Sequence, residues 1–241
     1  MPSLDKQIST SRRAVEERRG RRPLAELELA VQELEPIRPF TEAIGGEEIS
    51  FVLRCPTDPH HLEEALDADV AGVTFDLDDP LAAAAVDAGL PLLQRSLVVD
   101  PYQLYEARLG RAGGVVLVAA AFDDEHDDLA EMHRVAADLG LDVVVEVARE
   151  DEIEHVLELL DPDSFLIRNR DGENGKVDFE RTFSLLEEVP AGKVVLSQGG
   201  IRHREQAAAL EGAGVDAAVL GRWIYAQGLS QTLDLLRGDA R

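Results

Sequence analysis

Polar and charged side chains stand where short β-branched runs of the sequence end, and their types indicate acid–base chemistry on an anionic ligand. Glu146 closes one such run and Arg95 another, while Arg168, Asn169 and Arg170 close and follow a third. A carboxylate among arginines serves either as a general base or as the partner in a structural ion pair. Guanidinium groups hold anions well, but they stay protonated and are poor proton donors. The residues alone leave both interpretations open.

A second group of candidates is rich in glycine and suits a phosphate. Ser197, Gly199 and Gly200 follow a seventh β-branched run, and Gly221 with Arg222 follows an eighth. Backbone N–H groups in such loops, close to the N-termini of short helices, bind phosphate oxygens. Glycines also serve tight turns without any ligand. Because two such loops follow consecutive runs, phosphate binding is the favoured hypothesis.

The β-branched runs alternate with helical stretches, and this order predicts the scaffold that positions the candidates. The predicted strands are 49–54, 70–75, 91–95, 114–118, 142–147, 164–168, 193–196 and 217–220. The predicted helices between and after them are 59–68, 80–88, 101–109, 124–139, 150–160, 179–188, 204–213 and 229–237. Strands that are apolar on both faces and separated by helices indicate a parallel sheet, and eight such units close into an α/β (β/α)8 TIM barrel. In that fold the chemistry lies at the mouth, the end of the barrel where the strands have their carboxyl ends.

The first part of the chain follows another pattern. Residues 11–19 are charged and rich in helix formers, and Pro23 suits the first turn of a second helix that reaches to about residue 34. We therefore expect an N-terminal helical extension over residues 1–45 and the barrel over residues 46–241.

Composition excludes several classes of partner. The chain has 48 acidic residues against 24 lysines and arginines, a formal net charge of −24, so its surface repels phosphate backbones and anionic lipids. We expect no nucleic-acid partner, no membrane partner, no cofactor and no metal, and a small phosphorylated anionic ligand held by a local positive patch. The one cysteine, Cys55, and the polar N-terminus without a signal peptide favour a cytoplasmic location. The oligomeric state stays open.

Several motifs, in order along the chain, resemble one known family. They are RPLAELE (22–28), RPFTEAI (38–44), LLQRSLVVDPYQLYEAR (92–108), AAAFDDE (119–125), VVVEVAREDEIE (143–154), RNRD (168–171), VDFERT (177–182), SQGGIR (197–202) and GAGVDAAVLGRW (212–223). The DPYQ-x-YEA stretch in the third of these is the most specific. On these motifs the chain resembles the indole-3-glycerol-phosphate synthases, strongly from residue 91 onward and weakly over residues 49–90.

The resemblance implies a reaction and a site. Members of that family decarboxylate a carboxyphenylamino deoxyribulose 5-phosphate and close it to indole-glycerol phosphate, a lyase step of tryptophan biosynthesis. Their acid is a lysine at the end of strand three, matched here by Arg95, and a glutamate that closes strand five is matched by Glu146. The resemblance thus implies Glu146 and Arg95 as catalytic residues, Arg168, Asn169, Arg170 and Ser197 as substrate-binding residues, and Gly199, Gly200, Gly221 and Arg222 as phosphate-binding residues.

The chain departs from the family pattern at three strand ends. Besides Arg95 in place of the lysine, Arg168 stands where the family has an asparagine, while Arg170 matches a family arginine. Strand one reads S-F-V-L where the family has A-E-x-K, and we expect Phe51 and Leu53 to replace the family's glutamate and lysine in the mouth.

Three functions stay open at this point. The first is synthase-like ring closure with impaired or altered activity. The second is a catalytically inactive paralogue that binds a phosphorylated ligand in a regulatory or scaffolding role, and the third is different chemistry on a related sugar phosphate. The chain has three lysines, Lys6, Lys176 and Lys193, and none of them closes a predicted strand. Loss of a positioned proton donor typically removes a factor of about 10²–10⁴ in rate.

Overall fold

Strands and helices alternate along the chain from residue 50 onward. The computed structural model of the protein describes residues 3–44, 46, 48–122, 126–172 and 174–238. The strands within these ranges are β1 (Ser50–Arg54), β2 (Gly72–Phe75), β3 (Leu92–Gln94), β4 (Gly114–Val118), β5 (Asp142–Val147), β6 (Ser164–Arg168), β7 (Val194–Gln198) and β8 (Ala217–Leu220). The α-helices are α1 (Leu4–Arg21), α2 (Leu24–Gln32), α3 (Pro59–Asp67), α4 (Ala82–Asp87), α5 (Tyr102–Leu109), α6 (His126–Asp138), α7 (Glu150–Leu159), α8 (Arg181–Leu186), α9 (Arg204–Gly212) and α10 (Leu229–Arg237). Short 3₁₀ turns lie at Thr41–Ala43, Ala119–Ala121 and Arg222–Gln227.

The strands form one closed barrel in chain order. Each strand pairs in parallel with the next, and β8 pairs in parallel with β1. The predicted (β/α)8 TIM barrel is therefore confirmed. Strand β7 ends at Gln198, two residues beyond its predicted end, and β3 ends at Gln94, which leaves Arg95 just past the strand. Residues 124 and 125, which begin the predicted helix over residues 124–139, lie outside the described residues.

Side chains alternate along each strand between the barrel interior and the layer under the helices. The buried cluster in the interior consists of Val52, Leu93, Val116, Val144, Leu166, Leu196, Ala217 and Val219, with Phe40 and Ile44 from the segment before β1. Neighbouring strand residues such as Leu117 and Val145 belong to a second cluster between the sheet and the helices. Because the period of a strand is two residues, the side chains two positions beyond the interior cluster point into the mouth.

Strand β1 shows that its predicted mouth residues were wrong by one position. Phe51 and Leu53 are 2% and 0% exposed and pack in the cluster under the helices. The guanidinium carbon of Arg237 lies 5.7 Å from the centre of the Phe51 ring, on the helix side of the sheet. Val52 faces the interior, so Arg54, and not Leu53, reaches the mouth. The error arose because the strand is apolar at 51, 52 and 53, which gives no alternation to set the register.

The segment before β1 closes the end of the barrel opposite the mouth. Phe40 is fully buried, and its N–H donates to the carbonyl oxygen of Gly113. The N–H and Oγ1 of Thr41 donate to Oδ2 of Asp142, at 2.7 and 2.6 Å, where β5 begins. Gly113 must lack a side chain because a Cβ there would lie 2.7 Å from the carbonyl oxygen of Arg38. Residues 38–44 thus act as the plug of this barrel.

Helix α1 is held against α5 by polar contacts more than by apolar packing. Of its 18 residues, only Val15 is buried. The Arg18 guanidinium donates to both carboxylate oxygens of Glu106, over 2.6 and 2.9 Å. In the middle of the helix, Oγ of Ser11 donates to the carbonyl oxygen of Leu97 at 2.9 Å. Leu97 belongs to the loop between β3 and α5, so α1 contacts the loop that begins at the mouth.

Substitution of an interior side chain tests the alternation. Leu166 is 0% exposed and lies in the interior cluster, so Leu166→Ala should lower the free energy of unfolding by about 2–5 kcal/mol. The control is Leu29→Ala, since Leu29 is 65% exposed on α2 and its loss should change stability by no more than about 0.5 kcal/mol. Urea unfolding of both variants at one salt concentration measures the difference. Equal stabilities of the two variants would contradict the interior position of Leu166.

Candidate functional site

The first seven strands each direct one side chain into the mouth. On β2 the interior position is the buried Thr74, which pairs with Leu93. Continuing the interior positions by two residues gives Arg54, Asp76, Arg95, Val118, Glu146, Arg168 and Gln198. Strand β8 is followed at this level by Gly221. The mouth layer therefore contains three guanidinium groups, two carboxylates and one carboxamide, which together suit an anionic ligand.

Glu146 lies at the centre of this charge arrangement. Its side chain is 4% exposed, and its two oxygens face different arginines. Nη2 of Arg95 donates to Oε2 at 2.9 Å, and Nε of Arg168 lies 3.0 Å from Oε1 in an ion pair. A guanidinium thus occupies one acceptor position on each oxygen of the carboxylate. The geometry is that of the ion-pair alternative for Glu146 and Arg95.

Two further ion pairs cross the mouth between β1, β2 and the loop after β8. The Arg54 guanidinium pairs with Asp76, and the Arg222 guanidinium pairs with Asp79. Nε of Arg222 also donates to the carbonyl oxygen of Cys55 at 2.8 Å, and the N–H of Asp76 donates to Asp79 at 2.8 Å. Arg222, predicted to bind phosphate, thus has its guanidinium engaged by the loops after β1 and β2.

Two ionisable groups beneath these pairs are kept neutral by burial. Burial raises the pKa of the Cys55 thiol to about 11, and the nearby Asp79 carboxylate acts in the same direction. Burial also raises the pKa of Tyr225, whose hydroxyl donates to the carbonyl oxygen of Arg54 at 2.6 Å. Both groups pack the 3₁₀ turn after β8 against the end of β1 and offer no base at neutral pH.

Three buried polar side chains connect the ends of β6 and β7. Asn169, Thr182 and Ser197 are each 0% exposed. Nδ2 of Asn169 donates to Oγ of Ser197 at 3.2 Å and to the carbonyl oxygen of Gly199 at 3.0 Å. Oγ1 of Thr182 donates to Oδ1 of Asn169 at 2.9 Å and lies 2.7 Å from Oγ of Ser197. Asn169 and Ser197, predicted to bind substrate, therefore have their polar atoms committed to positioning the two loops.

Arg170 points away from the mouth layer. Its side chain is exposed, and Nη1 donates to the carbonyl oxygen of Gly175 at 2.6 Å within the loop between β6 and α8. Its backbone forms an antiparallel bridge with Val177 in the same loop. Of the predicted trio Arg168, Asn169 and Arg170, the structure brings only Arg168 to Glu146.

The glycine loops combine turns that only glycine adopts easily with backbone donors that lack an acceptor. Gly199 and Gly200 have φ of +107° and +84°, a region that favours glycine, and a Cβ at Gly200 would lie 2.9 Å from Cγ1 of Val177. The turn by itself therefore requires glycine. Among the described residues, the N–H groups of Gly199, Gly200 and Gly221 have no acceptor. Unpartnered N–H groups at two adjacent strand ends are what an anion cradle needs.

Arg54, Asp76, Asp79 and Gln198 were not predicted as site residues. The two-residue period of a strand identifies Arg54, Asp76 and Gln198 as mouth residues once the pairing register of each strand with its neighbour is known. Asp79 had no such signal, because it lies in an irregular loop and reaches Arg222 across 143 residues of sequence.

The part of the chain that the structure describes contains neither a cluster of metal-ligating side chains nor a helix suited to span a membrane. Residues 3–44, 46, 48–122, 126–172 and 174–238 contain no group of three or more His, Cys, Asp or Glu side chains that could bind a metal ion. In the same ranges, no helix has the length and apolar character needed to cross a membrane.

The buried network between β6 and β7 is testable by an isosteric change. Thr182→Val leaves Oδ1 of Asn169 without its buried donor, so we expect a loss of about 1–3 kcal/mol in the free energy of unfolding. Ser184→Ala is the control on the same helix, because Oγ of Ser184 is exposed and makes only a local contact with the carbonyl oxygen of Glu180 at 3.4 Å. Thermal unfolding of both variants decides the point. A Thr182→Val protein as stable as Ser184→Ala would contradict the network.

The pKa of Cys55 predicts the reactivity of the only thiol in the chain. A rise from 9.0 to about 11 leaves about 100-fold less thiolate at pH 8, so Ellman's reagent should label the folded protein at least that much more slowly than the urea-unfolded protein. The stability that this raised pKa contributes is complete below pH 9 and is lost as the pH rises towards 11. The wild type should therefore lose more stability over that interval than Cys55→Ser. Equal labelling rates for the folded and unfolded states would contradict the burial of the thiol.

Comparison with known proteins places the chain in a family. A family model described as indole-3-glycerol phosphate synthase matches residues 77–233. The indole-3-glycerol phosphate synthase of Acidithiobacillus ferrooxidans is 32% identical over 90% of this chain and 91% of its own length. The enzyme of the same name from Salinibacter ruber is 29% identical over 100% of this chain and 97% of its own. A mutant tryptophan synthase α-subunit from Pyrococcus furiosus, 14% identical with a TM-score of 0.61 over 81% of this chain and 99% of that one, shares the fold. The chain belongs to the indole-3-glycerol phosphate synthase family.

Proposed function

We propose that this barrel binds a phosphorylated ligand that carries a second anionic group, and that it closes the indole ring far more slowly than relatives with a lysine at the end of β3. The observation that carries the proposal is the ion pair of Arg95 with the buried Glu146, at 2.9 Å. Arg95 stands at the position of the family's acid and Glu146 at that of its base, and their charges neutralise each other in this ion pair. The class of ligand is the one that the relatives' name implies, a carboxylated and phosphorylated precursor of indole-glycerol phosphate.

The binding half of the proposal rests on free donors and on charge. The N–H groups of Gly199, Gly200 and Gly221 have no acceptor among the described residues, and they lie at the ends of neighbouring strands. Arginines at the ends of β1, β3 and β6 contribute three positive charges to the mouth against the carboxylates of Asp76 and Glu146. An anion gains from this local excess although the whole chain carries a net charge of −24.

The catalytic half rests on the chemistry of arginine. Ring closure of the family type needs a proton delivered by the group at the end of β3 and removed by the carboxylate at the end of β5. A guanidinium retains its proton, so Arg95 can orient an anion but cannot donate. The lost donor corresponds to a factor of about 10²–10⁴ in rate. Ring closure at an ordinary rate is the competing function, and it is favoured by the name shared by the relatives, which cover 90% of the chain or more.

A fluorescence assay for indole-glycerol phosphate, run from the family's substrate at low and at high salt, tests the proposal. We expect the wild type to turn over at least about 100-fold more slowly than a relative that has both lysines. Arg95→Lys should raise the rate, and the double variant Arg54→Lys, Arg95→Lys should raise it further, because an ammonium can donate where a guanidinium cannot. Arg134→Lys on the exposed face of α6 is the matched control and should change nothing.

Binding is followed in parallel by titration with the substrate. Saturable binding of the substrate with negligible turnover supports a barrel that has kept its anion sites and lost the proton donor. Rapid wild-type turnover that Glu146→Gln abolishes would instead show that arginine suffices at the end of β3, and the proposal would be wrong.

A further inference from the structure

A side cavity lies outside the mouth, between α1, α2, α4 and α5. Its volume is about 750 Å³, which is within the range of small-molecule sites. None of the strand-end residues Arg54, Arg95, Glu146 and Arg168 lines it. The cavity therefore lies beside the mouth, and of the ion-paired mouth residues only Asp79 lines it.

The walls of the side cavity are largely apolar. Leu27 of α2, Leu109 of α5, and Leu77 and Pro80 of the loop after β2 line it, together with Ala83 of α4. Helix α4 is only six residues long and presents alanines, so it leaves space beside α5 that longer side chains would fill. An apolar space of this size takes the flat body of a small organic molecule.

The charges around the side cavity are unevenly matched. They belong to Arg18, Arg21, Arg22, Asp78, Asp79 and Glu106. Arg18 and Glu106 pair with each other, and Asp79 pairs with Arg222, which does not line the cavity. Arg21 and Arg22 form no ion pair with any residue that the structure describes, and only the carboxylate of Asp78 is left to oppose them. The rim is thus positive in a chain whose net charge is −24.

We propose that the side cavity binds a small amphipathic anion, with an aromatic body against the apolar wall and one carboxylate or sulfonate on the guanidinium groups of Arg21 and Arg22. The apolar wall selects the body by the hydrophobic effect, and the two unpaired cations select the charge. A neutral aromatic molecule lacks the second interaction, and inorganic phosphate lacks the first. The inference does not depend on the function proposed for the mouth.

An occupant of the side cavity contacts the loops that hold the mouth charges. Ser96 lines the cavity directly after Arg95, and its Oγ accepts the N–H of Leu77 at 2.9 Å. Asp79 lines it too, and the same carboxylate binds Arg222. An occupant of the side cavity therefore lies next to the residue that follows Arg95 and to the carboxylate that pairs with Arg222.

Titration with 8-anilinonaphthalene-1-sulfonate, an aromatic sulfonate whose fluorescence rises on leaving water, tests the proposal. We expect saturable 1:1 binding that inorganic phosphate does not displace. Ala83 and Ala84 are both exposed on α4, but only Ala83 lines the cavity. Ala83→Trp should therefore weaken binding by about tenfold or more, whereas Ala84→Trp should not. The double variant Arg21→Gln, Arg22→Gln should weaken binding by roughly tenfold at low salt.

A charge-matched control separates a specific contact from the general field of the protein. The double variant Lys6→Gln, Arg13→Gln also removes two positive charges, but from positions of α1 outside the cavity. It should leave the affinity for the probe unchanged. Thermal melts check that each variant is folded. Dissociation constants within about twofold of the wild type for both Ala83→Trp and the Arg21, Arg22 double variant would overturn the proposal, as would displacement of the probe by phosphate.

Discussion

A carboxylate buried at the end of β5 must be matched by cations, and this requirement organises the mouth of the barrel. Removing a charged group from water costs several kcal/mol, so Glu146 is stable in place only because a guanidinium approaches each of its oxygens. Arg168 comes from the neighbouring strand β6. Arg95 comes from β3 and must pass β4, whose side chain at this level is the apolar Val118. The position of one acid thus constrains the residue types on three other strands.

The other mouth charges are arranged by the same rule. Arg54 is matched by Asp76, and Arg222 by Asp79, so the arginines that close β1 and follow β8 both pair with carboxylates of the loop after β2. Arginine suits this arrangement because its planar fork is weakly hydrated and can contact two acceptors at once. A lysine in the same place would be a point charge with a transferable proton. At the ends of β1 and β3 the mouth therefore carries guanidinium groups held in ion pairs, and not groups with a transferable proton.

The sequence predicted the scaffold well, because eight β-branched runs separated by helical stretches have few alternatives to a closed parallel barrel. It also placed Glu146 and Arg95 at strand ends. The sequence did not predict which side chains of β1 face the mouth. Because β1 is apolar on both faces, no alternation sets its register, and Leu53 was assigned to the mouth in place of Arg54. The direction of long side chains was equally out of reach. Nothing local to Arg170 or Arg222 in the sequence indicates that one folds back on its own loop while the other crosses to Asp79.

The N-terminal helix ties these features together. Its attachment depends on arginine–carboxylate pairs such as Arg18 with Glu106, and on Ser11, which holds the carbonyl oxygen of Leu97 two residues beyond Arg95. A helix with one buried residue contributes little apolar burial to the fold. Its position over the loop between β3 and α5 instead fixes the path from the strand to Arg95 and forms one wall of the side cavity. Ser11 lines that cavity and holds Leu97, and Leu97 lies two residues beyond the arginine that pairs with Glu146.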